Sequence, residues 1–277
     1  MGCTALENSA SGYIESCWHN SLQQQRMEAM GRMTTNVRDS NAFEMATDSR
    51  WTIDLRPYGR PMIIGVDDVD YQKIITVDGK LLMFGGNSKV INAWKQAISL
   101  NAHYPKSVNV ASLPTDGMAI SIVSLTTCEL IIEKGYHTVP DGASFAGTGY
   151  KDARLCWLEN RDARRAVESA MKADFLTGGT VRFFNYSTGI HNLAPDRSFE
   201  QFNSEFLRKG FVMYTDTSAK LPIAEAAAQD NHLHEVINKV SAGELAATAP
   251  CDPSYDTWSQ ADKEQLHTTM RELFNFN

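Results

Sequence analysis

Short apolar runs with alternating polar positions dominate the first two thirds of this chain, and stretches with helical spacing separate them. The runs typical of β-strands lie at 34–38, 42–47, 62–66, 73–77, 80–84, 118–125, 128–133, 181–186 and 211–214. Helical spacing occurs at 87–101, 151–158, 163–173, 199–208, 223–240 and 259–274. Strands and helices come in blocks rather than in strict alternation, so a doubly wound parallel sheet is disfavoured. The pattern predicts an α+β fold with two antiparallel sheets and helices packed outside them.

Composition places the chain among ordinary globular proteins. Its 277 residues are 43% hydrophobic and 21% charged, which is enough apolar material for a sizeable core. The net charge of −7 argues against a nucleic-acid partner, because phosphate binding requires clustered Lys and Arg. There is no apolar run of membrane-spanning length and no secretory signal, and the five cysteines are an odd number without pairing rhythm. We therefore expect a cytoplasmic protein with reduced thiols and no membrane partner.

Cofactor-binding motifs are not found. The sequence has no phosphate-binding loop, no dinucleotide-binding fingerprint and no Gly-x-Ser-x-Gly nucleophile elbow. We expect neither a cofactor nor a metal.

Three pairs of short motifs, far apart in the sequence, carry candidate chemistry. They are Thr34-Thr35 with Asp48-Ser49-Arg50, Lys73 with Met83-Phe84-Gly85-Gly86, and Gly147-Thr148-Gly149 with Asp174 and Thr177-Gly178-Gly179. Each motif alone is also typical of an ordinary turn, strand end or helix cap. Their order and spacing together resemble a proteasome β-type subunit, which is an N-terminal-nucleophile (Ntn) hydrolase. The resemblance covers about residues 34–186, a little over half of the chain.

The resemblance implies a fold and a domain organisation. It implies a four-layer α/β/β/α Ntn-hydrolase sandwich at residues 34–215. Residues 1–33 would be a leader or propeptide-like segment, and 216–277 a C-terminal helical extension. Members of the family usually stack into rings, so a homo-oligomer, and a ring in particular, is expected.

The resemblance also implies a mechanism, that of a threonine protease acting on a peptide or amide substrate. Thr34 would be the nucleophile and its own α-amine the base, because an α-amine titrates near working pH, at about 8. Lys73 and Asp48 would tune the charge, and the N–H of Gly85 would stabilise the oxyanion. The hydroxyls and carboxylate that would position the amine are those of Thr148, Asp174 and Thr177. The side chains that would line the pocket for the residue before the cleaved bond are Met83, Asn87 and Ile91.

Two departures from the family keep an alternative open. The family places its Asp sixteen residues after the nucleophile, whereas Asp48 follows Thr34 by fourteen, which fits a first hairpin shortened by one residue pair. Met33, rather than Gly, precedes Thr34. A Thr inside a continuous chain has no free amine, so catalysis requires that Thr34 become the first residue. The alternatives are a catalytically inactive proteasome-fold structural or interaction subunit that retains its N-terminal extension, and a binding domain whose motif matches are chance.

Overall fold

Two antiparallel sheets and the helices that cover them form the part of the molecule described by the computed structural model, residues 35–249 and 257–277. The predicted leader and Thr34 lie outside these residues. Its strands are β1 (Asn36–Asp39), β2 (Glu44–Thr47), β3 (Trp51–Asp54), β4 (Met62–Val66), β5 (Ile74–Val77), β6 (Lys80–Asn87), β7 (Met118–Ser124), β8 (Leu130–Lys134), β9 (His137–Val139), β10 (Ala143–Ala146), β11 (Arg182–Asn185), β12 (Phe211–Tyr214), β13 (Lys220–Pro222) and β14 (Thr248–Ala249). Its helices are α1 (Ser88–His103), α2 (Tyr150–Asn160), α3 (Ala163–Ala173), α4 (Phe199–Lys209), α5 (Ile223–Gln229), α6 (Asn231–Ser241) and α7 (Gln260–Phe274).

The strands form two sheets, and their order within each sheet differs from their order in the sequence. The first sheet has the order β11-β2-β1-β10-β9. The second has the order β13-β12-β4-β3-β14-β6-β7-β8, and β5 also pairs with β6. All these pairings are antiparallel. The predicted α+β class with two antiparallel sheets is therefore confirmed.

Alternation of side chains along the strands explains why their sequences are apolar on both faces. In β6, Leu81 and Met83 lie in one core cluster, while Leu82 and Phe84 lie in another. Successive strand residues point to opposite faces of a sheet, so each cluster collects every second residue. The cluster around Met83 also contains residues from the first sheet. The cluster around Phe84 contains residues of the helices α1, α4, α6 and α7.

The first sheet has its own helical cover. Helices α2 and α3 contact each other and strands β1, β2 and β10. Trp157 of α2 and Val167 of α3 share a fully buried cluster with Val37 of β1. The Trp157 Nε1 atom donates to the Asp39 carboxylate at 2.6 Å, which satisfies the polar end of this large side chain.

Three sequence predictions were wrong in detail. The predicted strand at 80–84 extends further, because β6 runs through Gly85 and Gly86 and α1 begins directly afterwards. The predicted helix at 223–240 is two helices, since Asp230 leaves helical geometry and its carboxylate caps the start of α6. No element is predicted between 241 and 258, whereas the described part of this range contains the strand β14. Among the described residues, no helix combines the length and the apolar character that crossing a bilayer requires.

Candidate active site

Asp48 lies at the centre of the candidate site, directly after β2, and is fully buried. Its Oδ1 accepts the backbone N–H of Thr35 at 3.0 Å and the ammonium of Lys73 at 2.9 Å. Its Oδ2 accepts the backbone N–H groups of Arg50 at 3.2 Å and Gly178 at 3.1 Å. A buried carboxylate needs such donors in place of water. Asp48 therefore joins four segments that are distant in the sequence.

Lys73 is buried as completely as its partner. Its side chain is 1% exposed, and its ammonium lies 5.6 Å from the centroid of the Trp51 ring. Burial lowers the pKa of the Lys73 ammonium below its ordinary value, while the charge of Asp48 and the hydrogen bond to it oppose the shift. The Lys73 ammonium is therefore held in one place against the Asp48 carboxylate.

A second polar network surrounds Asp174, at the end of α3. Its Oδ2 accepts the hydroxyls of Thr148 at 2.7 Å and Thr177 at 3.0 Å. The Thr177 hydroxyl also lies 3.0 Å from the hydroxyl of Thr35. A hydroxyl carries one hydrogen, and Thr177 gives its own to Asp174, so Thr35 is the donor to Thr177.

Thr35 is the residue at which the two networks meet. Its backbone nitrogen contacts Asp48 and its hydroxyl contacts Thr177, and the residue is fully buried. Gly149 makes room for it, because a Cβ at that position would overlap the Thr35 hydroxyl. Thr34 lies outside the described residues, but its carbonyl carbon is bonded to the Thr35 nitrogen that contacts Asp48.

Arg50 fixes the turn that carries Thr177. Its guanidinium forms a two-pronged ion pair with Asp67, with nitrogen–oxygen distances of 2.7 and 2.8 Å. It also donates to the carbonyl of Phe175 at 2.6 Å. A Cβ at Gly178 would overlap the guanidinium, so the glycine at this position allows the close approach.

The structure thus brings together Asp48, Lys73, Thr148, Asp174 and Thr177 of the residues selected from the sequence. Gly85 lies in β6, buried and paired with Ala119 of β7. The residue before it, Phe84, donates its N–H to the carbonyl of Lys73 at 2.8 Å. Gly85 therefore directly follows a residue that contacts the site.

The three residues selected as a substrate pocket have different surroundings. Met83 and Ile91 are both fully buried, in separate core clusters. Asn87 is half-buried, and its side chain caps α1 by accepting the N–H of Lys89. Met83 and Ile91 therefore present no surface to solvent in this structure, and Asn87 presents only part of its side chain.

Sequence reasoning did not identify Thr35 and Arg50 as parts of the site. Thr35 was only the second half of a Thr-Thr pair, and Arg50 was the end of an Asp-Ser-Arg run. Their partners Thr177, Phe175 and Asp67 are far away in the sequence, so no local pattern indicates them. The nearest signal is the Asp-Ser-Arg run itself, since an Arg next to a buried Asp needs a partner of its own.

The fold and site together define an α+β protein with two antiparallel sheets and a buried cluster of threonine, lysine and aspartate side chains. No protein-family model matches the chain, and no curated protein matches it in sequence. Among solved structures, the chain is similar to eukaryotic HslV from Trypanosoma brucei, with 12% identity, a TM-score of 0.35, and coverage of 55% of this chain and 97% of that one.

Two further similarities are to structures of Thiobacillus denitrificans BPH. The complex with epoxomicin is 14% identical with a TM-score of 0.34, and BPH alone is 17% identical with a TM-score of 0.33. Each alignment covers 59% of this chain and all of that chain. At such low identity and TM-score, these likenesses carry no conclusion about the activity of this chain.

Proposed function

We propose that this chain is a proteasome-like threonine hydrolase of peptides or amides, and that its nucleophile is the hydroxyl of Thr34 once Thr34 is the first residue. The observation that carries the proposal is the shared Asp48 oxygen. One carboxylate oxygen accepts both the Lys73 ammonium and the backbone nitrogen bonded to Thr34. This contact ties a buried, charge-tuning lysine to the residue next to the nucleophile.

The chemistry follows from the groups around that point. The free amine of Thr34 takes the proton of the Thr34 hydroxyl as the oxygen attacks the substrate carbonyl carbon. The N–H of Gly85 stabilises the resulting oxyanion. The ammonium of Thr34 then gives its proton to the departing nitrogen, which leaves an ester on Thr34. Water, deprotonated by the same amine, hydrolyses this ester and restores the hydroxyl.

The Asp174 network has the role of holding the amine. The hydroxyls of Thr148 and Thr177 share one Asp174 oxygen, and Thr177 also accepts the hydroxyl of Thr35. A base must keep its lone pair directed at the proton that it removes, so a rigid set of hydroxyls beside it raises the fraction of productive encounters.

The proposal also includes the layer order, the domain bounds, the substrate-binding residues, the localisation and the assembly of the protein. The layers follow the order α/β/β/α, with α2 and α3 outside the first sheet. Residues 34–215 form the hydrolase domain, 1–33 the leader, and 216–277 an extension that adds strands as well as helices. Met83, Asn87 and Ile91 would contribute to substrate binding only after a rearrangement that exposes Met83 and Ile91. The protein is cytoplasmic and assembles with copies of itself.

The test compares two forms of the protein. One is the full chain, and the other is released from a removable tag so that Thr34 is its first residue. Release of a fluorophore from a panel of peptide amides should occur with the Thr34-first form and not with the uncleaved full chain. Thr34→Ala should abolish the release and Thr34→Ser should keep part of it. A folded but inactive Thr34-first form would favour the alternative, a non-catalytic assembly subunit.

A further inference from the structure

The strand β14 lies between the facing edges of β3 and β6 and pairs with both of them. Thr248 pairs with Thr52 of β3 on one side and with Asn87 of β6 on the other, and Ala249 pairs with Gly86. The other edge of β3 pairs with β4, and the other edge of β6 pairs with β7. Without β14, the edges of β3 and β6 would face each other across an open slot.

The slot leads to the candidate active site. Along β3, the residues from Thr52 towards the start of the strand lead back to Arg50 and Asp48. Along β6, the positions from Asn87 in the same direction are Gly86, Gly85 and Phe84, whose N–H is bonded to Lys73. Since β14 is antiparallel to both strands, its chain runs towards the site in the N-to-C direction.

Residues 245–249 are held in an extended conformation by the neighbouring strands and not by their own strand propensity. The segment 245–249 reads Leu-Ala-Ala-Thr-Ala, and alanine favours helices and is depleted in strands. The segment is held largely by backbone pairing with β3 and β6, and its small side chains fit the narrow space between these strands. Ala247 and Ala249 are 4% and 0% exposed, the carbonyl of Ala247 accepts the N–H of Ser88 at 3.1 Å, and the Thr248 hydroxyl donates to the carbonyl of Thr52 at 3.1 Å. The backbone contacts do not depend on the side chains, so another extended peptide with small side chains would make them as well.

The segment is attached to the molecule on both sides. Before it, the N–H of Glu244 is bonded to the carbonyl of Lys239 in α6 at 2.8 Å. After it, Trp258 is held by the side chain of Asp116 at 2.8 Å and the carbonyl of Met118 at 2.9 Å. A tether of this kind keeps the segment at an effective concentration of roughly millimolar near the slot, so a free peptide competes poorly.

We infer that residues 245–249 are a built-in competitor, which occupies the slot between β3 and β6 where an extended peptide substrate of the proposed hydrolase would otherwise lie. This inference rests on the proposed function only in taking the substrate to be a peptide. It adds a mode of regulation, in which the segment must leave before a substrate can enter.

The experiment measures peptide binding to the full chain and to two variants. Ala249→Pro removes a backbone N–H and is incompatible with pairing on both sides, whereas the control Ala249→Ser keeps the N–H and the small size. A fluorescein-labelled Leu-Ala-Ala-Thr-Ala peptide should bind Ala249→Pro at least tenfold more tightly than either the unmodified protein or Ala249→Ser, as measured by fluorescence anisotropy. Equal binding by all three proteins, or no binding by Ala249→Pro in its folded state, would overturn the inference.

Hydrogen exchange on the unmodified protein provides a second measurement in case Ala249→Pro does not fold. Amides at 247–249 and at Gly86 should exchange at least tenfold faster than those at the centre of β7, because the segment opens locally. If the segment exchanges only together with β7, it is a permanent strand of the core and the inference fails.

The outcomes for the two proposals are distinguishable. A peptide that binds Ala249→Pro tightly but is never hydrolysed, even with Thr34 as the first residue, would leave the built-in competitor in place and remove the hydrolase. Hydrolysis at equal rates by the unmodified protein and by Ala249→Pro, both in the Thr34-first form, would keep the hydrolase and remove the built-in competitor.

Discussion

At the scale of single residues, the candidate site is organised around one buried ion pair, Asp48 with Lys73. Asp48 and Lys73 have side-chain exposures of 0% and 1%, and backbone N–H groups from three segments complete the coordination of the carboxylate. A buried pair adds little stability over apolar residues of the same size, but loss of one partner strands the other charge without water. Net stabilisation therefore does not account for the pair, whereas the role proposed for it in the active site does.

Asp48→Asn should destabilise the protein strongly. The substitution leaves the Lys73 ammonium without a counter-charge and turns an amide NH₂ towards backbone donors, so we expect a loss of about 3–5 kcal/mol in the free energy of unfolding. Urea denaturation followed by circular dichroism measures this loss. The double variant Asp48→Asn/Lys73→Met should recover part of it. A loss below about 1 kcal/mol for the single variant, the size typical of an exposed pair, would show that the pair is not buried in solution.

Thr148→Val should affect catalysis more than stability. It replaces the hydroxyl that donates to Asp174 at 2.7 Å with a methyl group of similar size. Loss of a positioning group of this kind lowers kcat by up to about 100-fold. In the Thr34-first form, kcat should fall while KM stays near its original value, and Thr148→Ser should keep most of the activity. Equal kcat values for the Val and Ser variants would remove Thr148 from the site.

Individual site residues were predictable where a glycine or a strand end marks them. Thr148 stands between two glycines and Thr177 before two, and the structure shows why, because side chains at 149 and 178 would overlap Thr35 and Arg50. The contacts themselves were not predictable. Arg50 reaches Phe175 across 125 positions of sequence, and no local pattern encodes such a partner.

At the scale of elements, the sequence predicts those with a strong internal period. The bounds of β4, β12 and α3 agree with the prediction, because buried β-rich runs and an amphipathic helix carry their own signal. The prediction missed five short strands, namely β3, β9, β10, β13 and β14. The extension of β6 through Gly86 depends on tertiary contact, since a Cβ there would overlap the carbonyl of Gly117.

Docking of α7 should depend on pH through His267. This ring stacks on Trp94 with centroids 6.5 Å apart, and its Nε2 is buried without a hydrogen-bond partner among the described residues. Burial lowers the pKa of His267, and the charges of Arg271 and Lys263 lower it further against the opposing charge of Glu264. The unfolded chain then binds the proton more readily than the folded one.

Stability should consequently fall as the pH decreases from about 6.5 towards the lowered pKa of His267, and this contribution is fully retained above that window. Thermal unfolding between pH 7.5 and 5 measures the effect. His267→Phe keeps the aromatic contact with Trp94 and cannot be protonated, so its midpoint should fall less steeply on acidification. Parallel pH profiles for the two proteins would contradict this role of His267.

At the scale of the whole molecule, the buried apolar side chains of the described residues form three large clusters and one small one. One lies between the first sheet and helices α2 and α3, one is shared by the two sheets, and the largest lies between the second sheet and the remaining helices. The C-terminal third joins the largest cluster through Leu266, Met270 and Phe274 of α7. The sequence predicted the two antiparallel sheets but not this return of the C-terminal third, because helical spacing shows which face is buried and not what covers it.

We predict that copies of this chain associate with one another. The family resemblance implies that copies of the chain assemble, and a ring is the arrangement expected. Light scattering coupled to size exclusion should give a mass several times that of the 30.8 kDa chain at micromolar concentration. A monodisperse monomer under these conditions would contradict the assembly, although it would leave the chemistry of the site unaffected.

The central claim is that one residue, Thr34, supplies both the hydroxyl and the amine. A peptide epoxyketone tests this directly, because its two electrophilic carbons can bond a hydroxyl and an amine of the same residue. After reaction of the Thr34-first form, tandem mass spectrometry should find a single adduct with both bonds on Thr34, and Lys73→Met should greatly slow its formation. An adduct on any other residue, or none on a folded protein that begins at Thr34, would contradict the account.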